Sequence, residues 1–151
     1  MSLLFSKPTI QEISAENLPP LFDYQNSVSD EIVDTFQQKN SRAMVQMPTG
    51  SGKTRTSIHA IINTINANSF GNDNYVIWMA HTEELCEQAI ETFEKSWQSY
   101  GQGVFRYYRL YGNRNIGPED VTGGFIFGWF LAALLYTDNR EITLKILCFI
   151  N

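Results

Sequence analysis

The sequence predicts an α/β fold with a mainly parallel sheet, organised around a phosphate-binding loop. Three observations carry this reading. Met47-Pro48-Thr49-Gly50-Ser51-Gly52-Lys53-Thr54 is a glycine-rich turn that ends in Lys-Thr. It stands between a short apolar run, Ala43-Met44-Val45-Gln46, and a segment whose Ile58, Ile61, Ile62 and Ile65 keep helical spacing. Further along, apolar β-rich runs alternate with amphipathic ones, the pattern of strands joined by crossover helices.

The loop residues have a physical rationale. A polyphosphate needs several N–H donors converging on one point, and backbone amides converge only where side chains are absent. Gly50 and Gly52 remove those side chains and permit positive φ. A helix starting near Lys53 adds its free N–H groups and the positive end of its dipole. Lys53 would place an ammonium on the β- and γ-phosphates, and the Thr54 hydroxyl would go to Mg²⁺. The general pattern G-x-x-x-x-G-K-[ST] has Met47 at its first position here. Thr49 to Thr54 match it, and Gly50, Gly52, Lys53 and Thr54 hold the phosphate end.

Composition bounds the rest. The chain has 151 residues, 43% of them hydrophobic and 18% charged, enough for one core of ordinary size. A net charge of −5 argues against strong non-specific coating of nucleic acid, while leaving room for a local groove. Basic residues cluster mildly at Arg106, Arg109 and Arg114. Cys86 and Cys148 lack metal-ligand spacing and read as buried thiols, with no sign of an oxidising compartment. Leu3-Leu4-Phe5 is cut short by Ser6-Lys7-Pro8, so no signal-peptide core is expected. The apolar run from Phe125 to Tyr136 is too short to span a bilayer. A cytoplasmic protein without membrane contact is the expectation.

In chain order, residues 1–20 read as a lead-in interrupted by Pro8, Pro19 and Pro20, with at most a short helix between Ile10 and Asn17. The domain built around the phosphate loop is expected over 21–151, and the resemblance described below implies that it is a partial ATP-binding domain. A helix follows the lead-in, with Leu21, Tyr24, Val28, Ile32, Val33 and Phe36 on one face, ending at Gln38-Lys39-Asn40-Ser41. Within it, Gln25 precedes the phosphate loop by about one helix. Its amide both donates and accepts, as an adenine edge requires; a glutamine facing solvent is the plainer alternative. Ala43 to Met47 is expected as the first core strand, then the loop and a helix to about Ala67.

Residues 68–74 read as a loop and Tyr75 to Ala80 as a buried strand, parallel to the first through a right-handed crossover. Thr82 can cap the next helix, which buries Cys86, Ala89, Ile90, Phe93 and Trp97 and leaves Glu83, Glu87, Glu91 and Glu94 wet. His81 falls at the carboxyl end of a strand, where open α/β sheets bind ligands; it is equally readable as a turn histidine. Val104 to Leu110 interleaves Arg and Tyr, which suits nucleic-acid stacking but is better read as an ordinary strand with one wet face. Asn113 to Pro118 is a loop, Gly124 to Gly128 a short strand, Phe130 to Tyr136 a helix, and Thr143 to Ile150 a last strand.

With these residues in view, the chain resembles the N-terminal part of a superfamily two helicase or translocase, of the DEAD/DEAH-type and type III restriction subunit group. Leu21-Phe22-Asp23-Tyr24-Gln25 resembles the family's segment ending in Tyr-Gln, Met47 to Thr54 its motif I, and Val76 to Ala89 its motif Ia. The resemblance covers roughly residues 20–110. It implies a three-layer P-loop NTPase (RecA-like) domain that uses ATP and Mg²⁺. Gln25 would contact adenine. Pro48, Thr49, Gly50, Ser51, Gly52, Lys53 and Thr54 would form the nucleotide loop, with Lys53 and Thr54 in the catalytic machinery and Thr54 on the metal. His81 and Thr82 would lie near a nucleic-acid backbone, DNA favoured over RNA. Many relatives carry a basic residue at the position of Thr82.

The departures are as informative. The family's hydrolysis needs an Asp-Glu pair at the end of a later strand, and none follows the loop; Asp30-Glu31 precedes it, on a helix. The strand at 143–150 lies about where that pair should follow. By the same resemblance, the second RecA-like domain, with its arginine finger, is not expected within these residues. The expectation is an incomplete, fragment-like domain that binds nucleotide and hydrolyses it negligibly. The alternative is a non-catalytic nucleotide-binding module with a regulatory or interaction role.

Overall fold

In the computed structural model of the chain, residues 18–38, 41–67, 74–112, 124–128 and 143–148 are described. Their contacts gather into two compact units, one drawn from 71–83 and 104–151, the other from 15–70 and 84–103.

The first unit is a parallel sheet. Strands β1 (Asn74–Met79), β2 (Tyr107–Leu110), β3 (Gly124–Gly128) and β4 (Thr143–Cys148) lie in the order β2-β3-β1-β4. Every pairing is parallel. Trp78 stands opposite Phe127 on one side and Leu147 on the other, and Tyr107 stands opposite Phe125. Parallel strands are usually covered on both faces and read as continuous apolar runs. Val76 to Met79 are accordingly all buried, as is the whole of β3.

One face of this sheet is aromatic. Alternation along β3 puts Phe125 and Phe127 on the same side, stacked with centroids 4.3 Å apart. Trp78 leans on both, at 6.4 and 6.5 Å, and Tyr107 meets Phe127 edge-on at 5.9 Å. The Arg109 guanidinium covers the Tyr107 ring at 5.2 Å and donates to its hydroxyl at 3.3 Å. Gly124 lets the two strands begin this close together. Its φ is +123°, and a Cβ there would stand 2.5 Å from the Arg106 carbonyl oxygen, which accepts a hydrogen bond from Phe125 N.

The second unit is helical: α1 (Asp23–Gln37), α2 (Lys53–Ala67) and α3 (Glu83–Tyr100). On α2, Ile58, Ile61, Ile62 and Ile65 are buried as the spacing predicts. On α3, Cys86, Ala89, Ile90, Phe93 and Trp97 form the predicted apolar stripe. Among the acidic residues of α3, Glu83, Glu87 and Glu91 are exposed and Glu94 is half-buried. Beyond the end of α3, the Trp97 indole folds over Gly101 and donates to the Gly103 carbonyl at 3.2 Å. The entering segment is strapped down by Arg55 and Tyr100, both donating to the Pro19 carbonyl.

Three expectations need correction. Ala43 to Met47 is not a strand; the backbone from 41 to 48 has no regular structure, and Met44 is 94% exposed. The run is only a few residues long and pairs with no described strand, so nothing satisfies a ladder there. The predicted crossover from that run to β1 goes with it. The buried stripe of α1 is Gln25, Ser29 and Ile32, continued by Leu21 just before the helix, and Tyr24 is 49% exposed. Two polar residues displace the apolar ones because each finds a hydrogen-bond partner inside. Finally, β2 has no wet face: Tyr107, Tyr108 and Leu110 are buried and Arg109 is half-buried. Neither tyrosine ring is therefore free for base stacking. The predicted features at Ile10–Asn17, Asn113–Pro118 and Phe130–Tyr136 lie outside the described residues, and at Cys148 the backbone alone is described.

Gly124→Ala is expected to destabilise the chain by about 1–3 kcal/mol, since it adds both backbone strain and a clash with main chain. A thermal unfolding midpoint within a degree of the parent would contradict this account of the β2–β3 junction.

Candidate functional site

The loop between residue 47 and α2 takes the conformation its glycines allow. Gly50 has φ +78° and Gly52 φ +82°. A Cβ at Gly50 would meet nothing within 4 Å, so this side of the loop is open. Ser51 closes the turn on Pro48, its N–H donating to the Pro48 carbonyl at 3.2 Å and its hydroxyl at 2.6 Å. Gly52 starts α2: its carbonyl accepts from Thr56 N at 2.9 Å and from the Thr56 hydroxyl at 3.0 Å. The amides of the first turn, from Lys53 on, have no acceptor within the helix, and the positive end of its dipole points the same way. Thr49 and Pro48 are exposed, while Ser51, Lys53 and Thr54 are half-buried.

The start of α1 is joined to this loop. Phe22 caps the helix with extended backbone but has no side-chain oxygen to offer. The capping comes from the other direction: Gln25 Oε1 accepts from Phe22 N at 3.0 Å. Gln25 Nε2 donates to the Ser51 carbonyl at 2.9 Å. An N–H partner at one end and a carbonyl at the other fix which way the amide faces. The Tyr24 hydroxyl donates to the same Ser51 oxygen at 3.1 Å. The Tyr24 ring is stacked on Phe22, centroids 5.9 Å apart, and both rings are exposed.

Behind the loop, α1 and α2 are joined by a polar contact. Ser29, fully buried, lies 3.1 Å from His59 Nδ1, and Asn63 Nδ2 lies 3.3 Å from the same nitrogen. Tyr100 of α3 packs edge-on against the imidazole at 5.0 Å. Two potential donors converge on Nδ1, which suits the neutral ring with its proton on Nε2. Burial, helped by the nearby Arg55 charge and opposed by Asp30, lowers the His59 pKa from 6.5.

Of the residues singled out in the sequence, Gln25 and the loop from Pro48 to Thr54 come together. His81 and Thr82 belong to the sheet unit, on the exposed turn after the carboxyl end of β1. Tyr24 was expected in the apolar stripe, and its contact with Ser51 was missed. Its place beside Gln25, one helix before the loop, was the available signal. The Ser29–His59 contact had no signal, because it depends on how two helices meet.

Residues 18–117 match the family model described as type III restriction enzyme, res subunit. Neither the curated proteins nor the solved structures yielded a significant match.

The His59 contact gives the fold a pH dependence of known sign. Its pKa is lower folded than unfolded, so the unfolded chain binds more protons in the interval between the two values. The stability is fully present above 6.5 and is lost as the pH falls from there towards the folded pKa. Unfolding midpoints measured across this interval should drop on acidification. His59→Gln should flatten the part of the slope nearest 6.5; an unchanged slope would remove His59 from the account.

Proposed function

The chain belongs to the family of type III restriction enzyme res subunits, and on that premise we propose that it is the ATP- and Mg²⁺-binding part of a nucleic-acid-dependent helicase or translocase ATPase. The observation that carries this is the loop itself. Two successive turns at Gly50 and Gly52 have positive φ directly before a helix that opens with Lys53 and Thr54. That donor set suits a triphosphate. Its glycines leave backbone N–H groups uncovered, and a Cβ at Gly50 would meet only open space. Pro48, Thr49 and Ser51 shape the turn, and the N–H groups of Gly50, Gly52 and the first turn of α2 receive phosphate oxygens. Lys53 would neutralise the β- and γ-phosphates, and the Thr54 hydroxyl would help hold Mg²⁺, which would supply further charge neutralisation when bound.

The nucleic-acid partner is proposed to be DNA rather than RNA, as the restriction family's name suggests, with His81 and Thr82 on the strand-following turn as the contact. Among the described residues, no helix is long and apolar enough to cross a membrane.

Hydrolysis is a separate matter. No Asp-Glu pair follows the loop in these residues, so we assign this stretch binding without turnover. A regulatory or interaction role built on nucleotide binding alone is the second reading, and the same observation favours it.

A fluorescent ATP analogue, titrated with and without Mg²⁺ onto the chain and onto Lys53→Ala, tests the proposal. Saturable, Mg²⁺-assisted binding should weaken at least about tenfold in the variant, the scale of one lost charged contact. A folded chain that binds nothing would refute the binding role. Phosphate release abolished by Lys53→Ala would refute the assignment of binding without turnover.

A further inference from the structure

We infer that His59 works a proton-driven release for the strap that ties the entering segment to the helical unit. With the imidazole neutral, Arg55 and Tyr100 hold the Pro19 carbonyl; with a proton on the ring, that hold is lost. The release is independent of whether the phosphate loop takes nucleotide.

The strap has few contacts. The Pro19 carbonyl accepts from the Arg55 guanidinium and, at 3.5 Å, from the Tyr100 hydroxyl, and the Leu18 N–H donates to Ser99 Oγ at 3.4 Å. The bonds from Tyr100 and Leu18 are long. Pro19 and Pro20 are exposed and bring no N–H of their own. Arg55 is held at a cost, because its Nε is buried with no hydrogen-bond partner. A segment held in this way can open while the helices stay packed.

His59 adjoins both holders. It lies one helical turn beyond Arg55 on α2, and the Tyr100 ring packs edge-on against it at 5.0 Å. Its Nδ1 faces the Ser29 hydroxyl at 3.1 Å and Asn63 Nδ2 at 3.3 Å. A proton added at Nδ1 puts a donor where an acceptor stood, so the Asn63 amide loses its partner. The same proton sets two like charges one turn apart on α2, and these repel. Among the described residues, the charged and titratable groups that face the ring are Arg55 on its own helix, Asp30 on α1 and Tyr100 on α3. Asp30 draws the charged ring towards α1 while Arg55 is pushed outward, where water reaches its unpaired Nε. The closed strap favours the neutral ring, since burial first and then the Arg55 charge lower the His59 pKa from 6.5. Opening relieves both, so the open form binds the proton more tightly and acid favours it.

The experiment follows backbone order parameters of Leu18 and Leu21 by NMR on the full chain, together with the His59 ring resonance, from about pH 7.5 down to about pH 5. Both order parameters should fall from about 0.85 to below about 0.6, with a midpoint that matches the ring's own titration. In His59→Gln they should stay at the neutral-pH value throughout. In Arg55→Ala the segment should be mobile at every pH, and the His59 midpoint should move upward because a neighbouring positive charge is gone.

Order parameters that stay flat while the ring titrates would overturn the inference. So would a pH response that survives in His59→Gln. Loss of the Ile61 and Ile62 amide signals over the same interval would mean general unfolding instead of local release, and would overturn it too. If His59→Gln does not fold, an unchanged His59 midpoint in Arg55→Ala would decide against it.

Discussion

The carbonyl of Ser51 is the constraint on which the rest of the site depends. A glycine-flanked loop has wide conformational freedom, and that freedom carries an entropic cost whenever the loop must take one shape. Here one oxygen, held by two side chains of α1, removes much of it. The Pro48 carbonyl does the same on the other flank, receiving both the N–H and the hydroxyl of Ser51. Between these two anchors the backbone has few ways to move, although neither Gly50 nor Gly52 brings a side chain to hold it. Preorganisation of this kind belongs to the free protein and lowers the cost of taking up a ligand.

The helices behind the loop follow the same logic of polar groups buried with partners. Ser29 and Gln25 sit on the inward side of α1, where apolar residues would ordinarily be placed, and each is satisfied across the interface to the loop or to α2. Such contacts select one arrangement of the helices, since any rotation of α1 would leave a buried donor without an acceptor. An apolar stripe alone would tolerate small slips. The sheet unit relies instead on dense aromatic packing, with Trp78, Phe125, Phe127 and Tyr107 fixing one face through ring geometry.

Much of this was legible in the sequence. The limits of α2, the strands at β1 and β3, the buried stripe of α3 and the positive φ of the two loop glycines follow from spacing and residue type. Periodicity and glycine chemistry are local, so they can be read locally. The errors share one cause: each concerned a residue whose state depends on a distant partner. Ala43 to Met47 has strand-like composition, but a strand exists only when another one pairs with it. Tyr24 looked apolar until the Ser51 carbonyl stood within its reach. The position of Gln25 one helix before the loop is readable, yet which groups its amide engages depends on how α1 meets the loop, and no spacing rule encodes that.

The contact between Gln25 and Gly52 has a consequence for how this sequence can change over generations. The two positions are coupled in one direction only. Glycine at 52 is demanded twice, by its φ of +82° and by the amide that fills the space where a Cβ would go. Losing the glutamine removes the second demand and leaves the first intact, so glycine is still favoured at 52 whatever stands at 25. A side chain at 52 would in turn push aside the far end of the glutamine, a flexible group that can move at the expense of its bond to the Ser51 carbonyl.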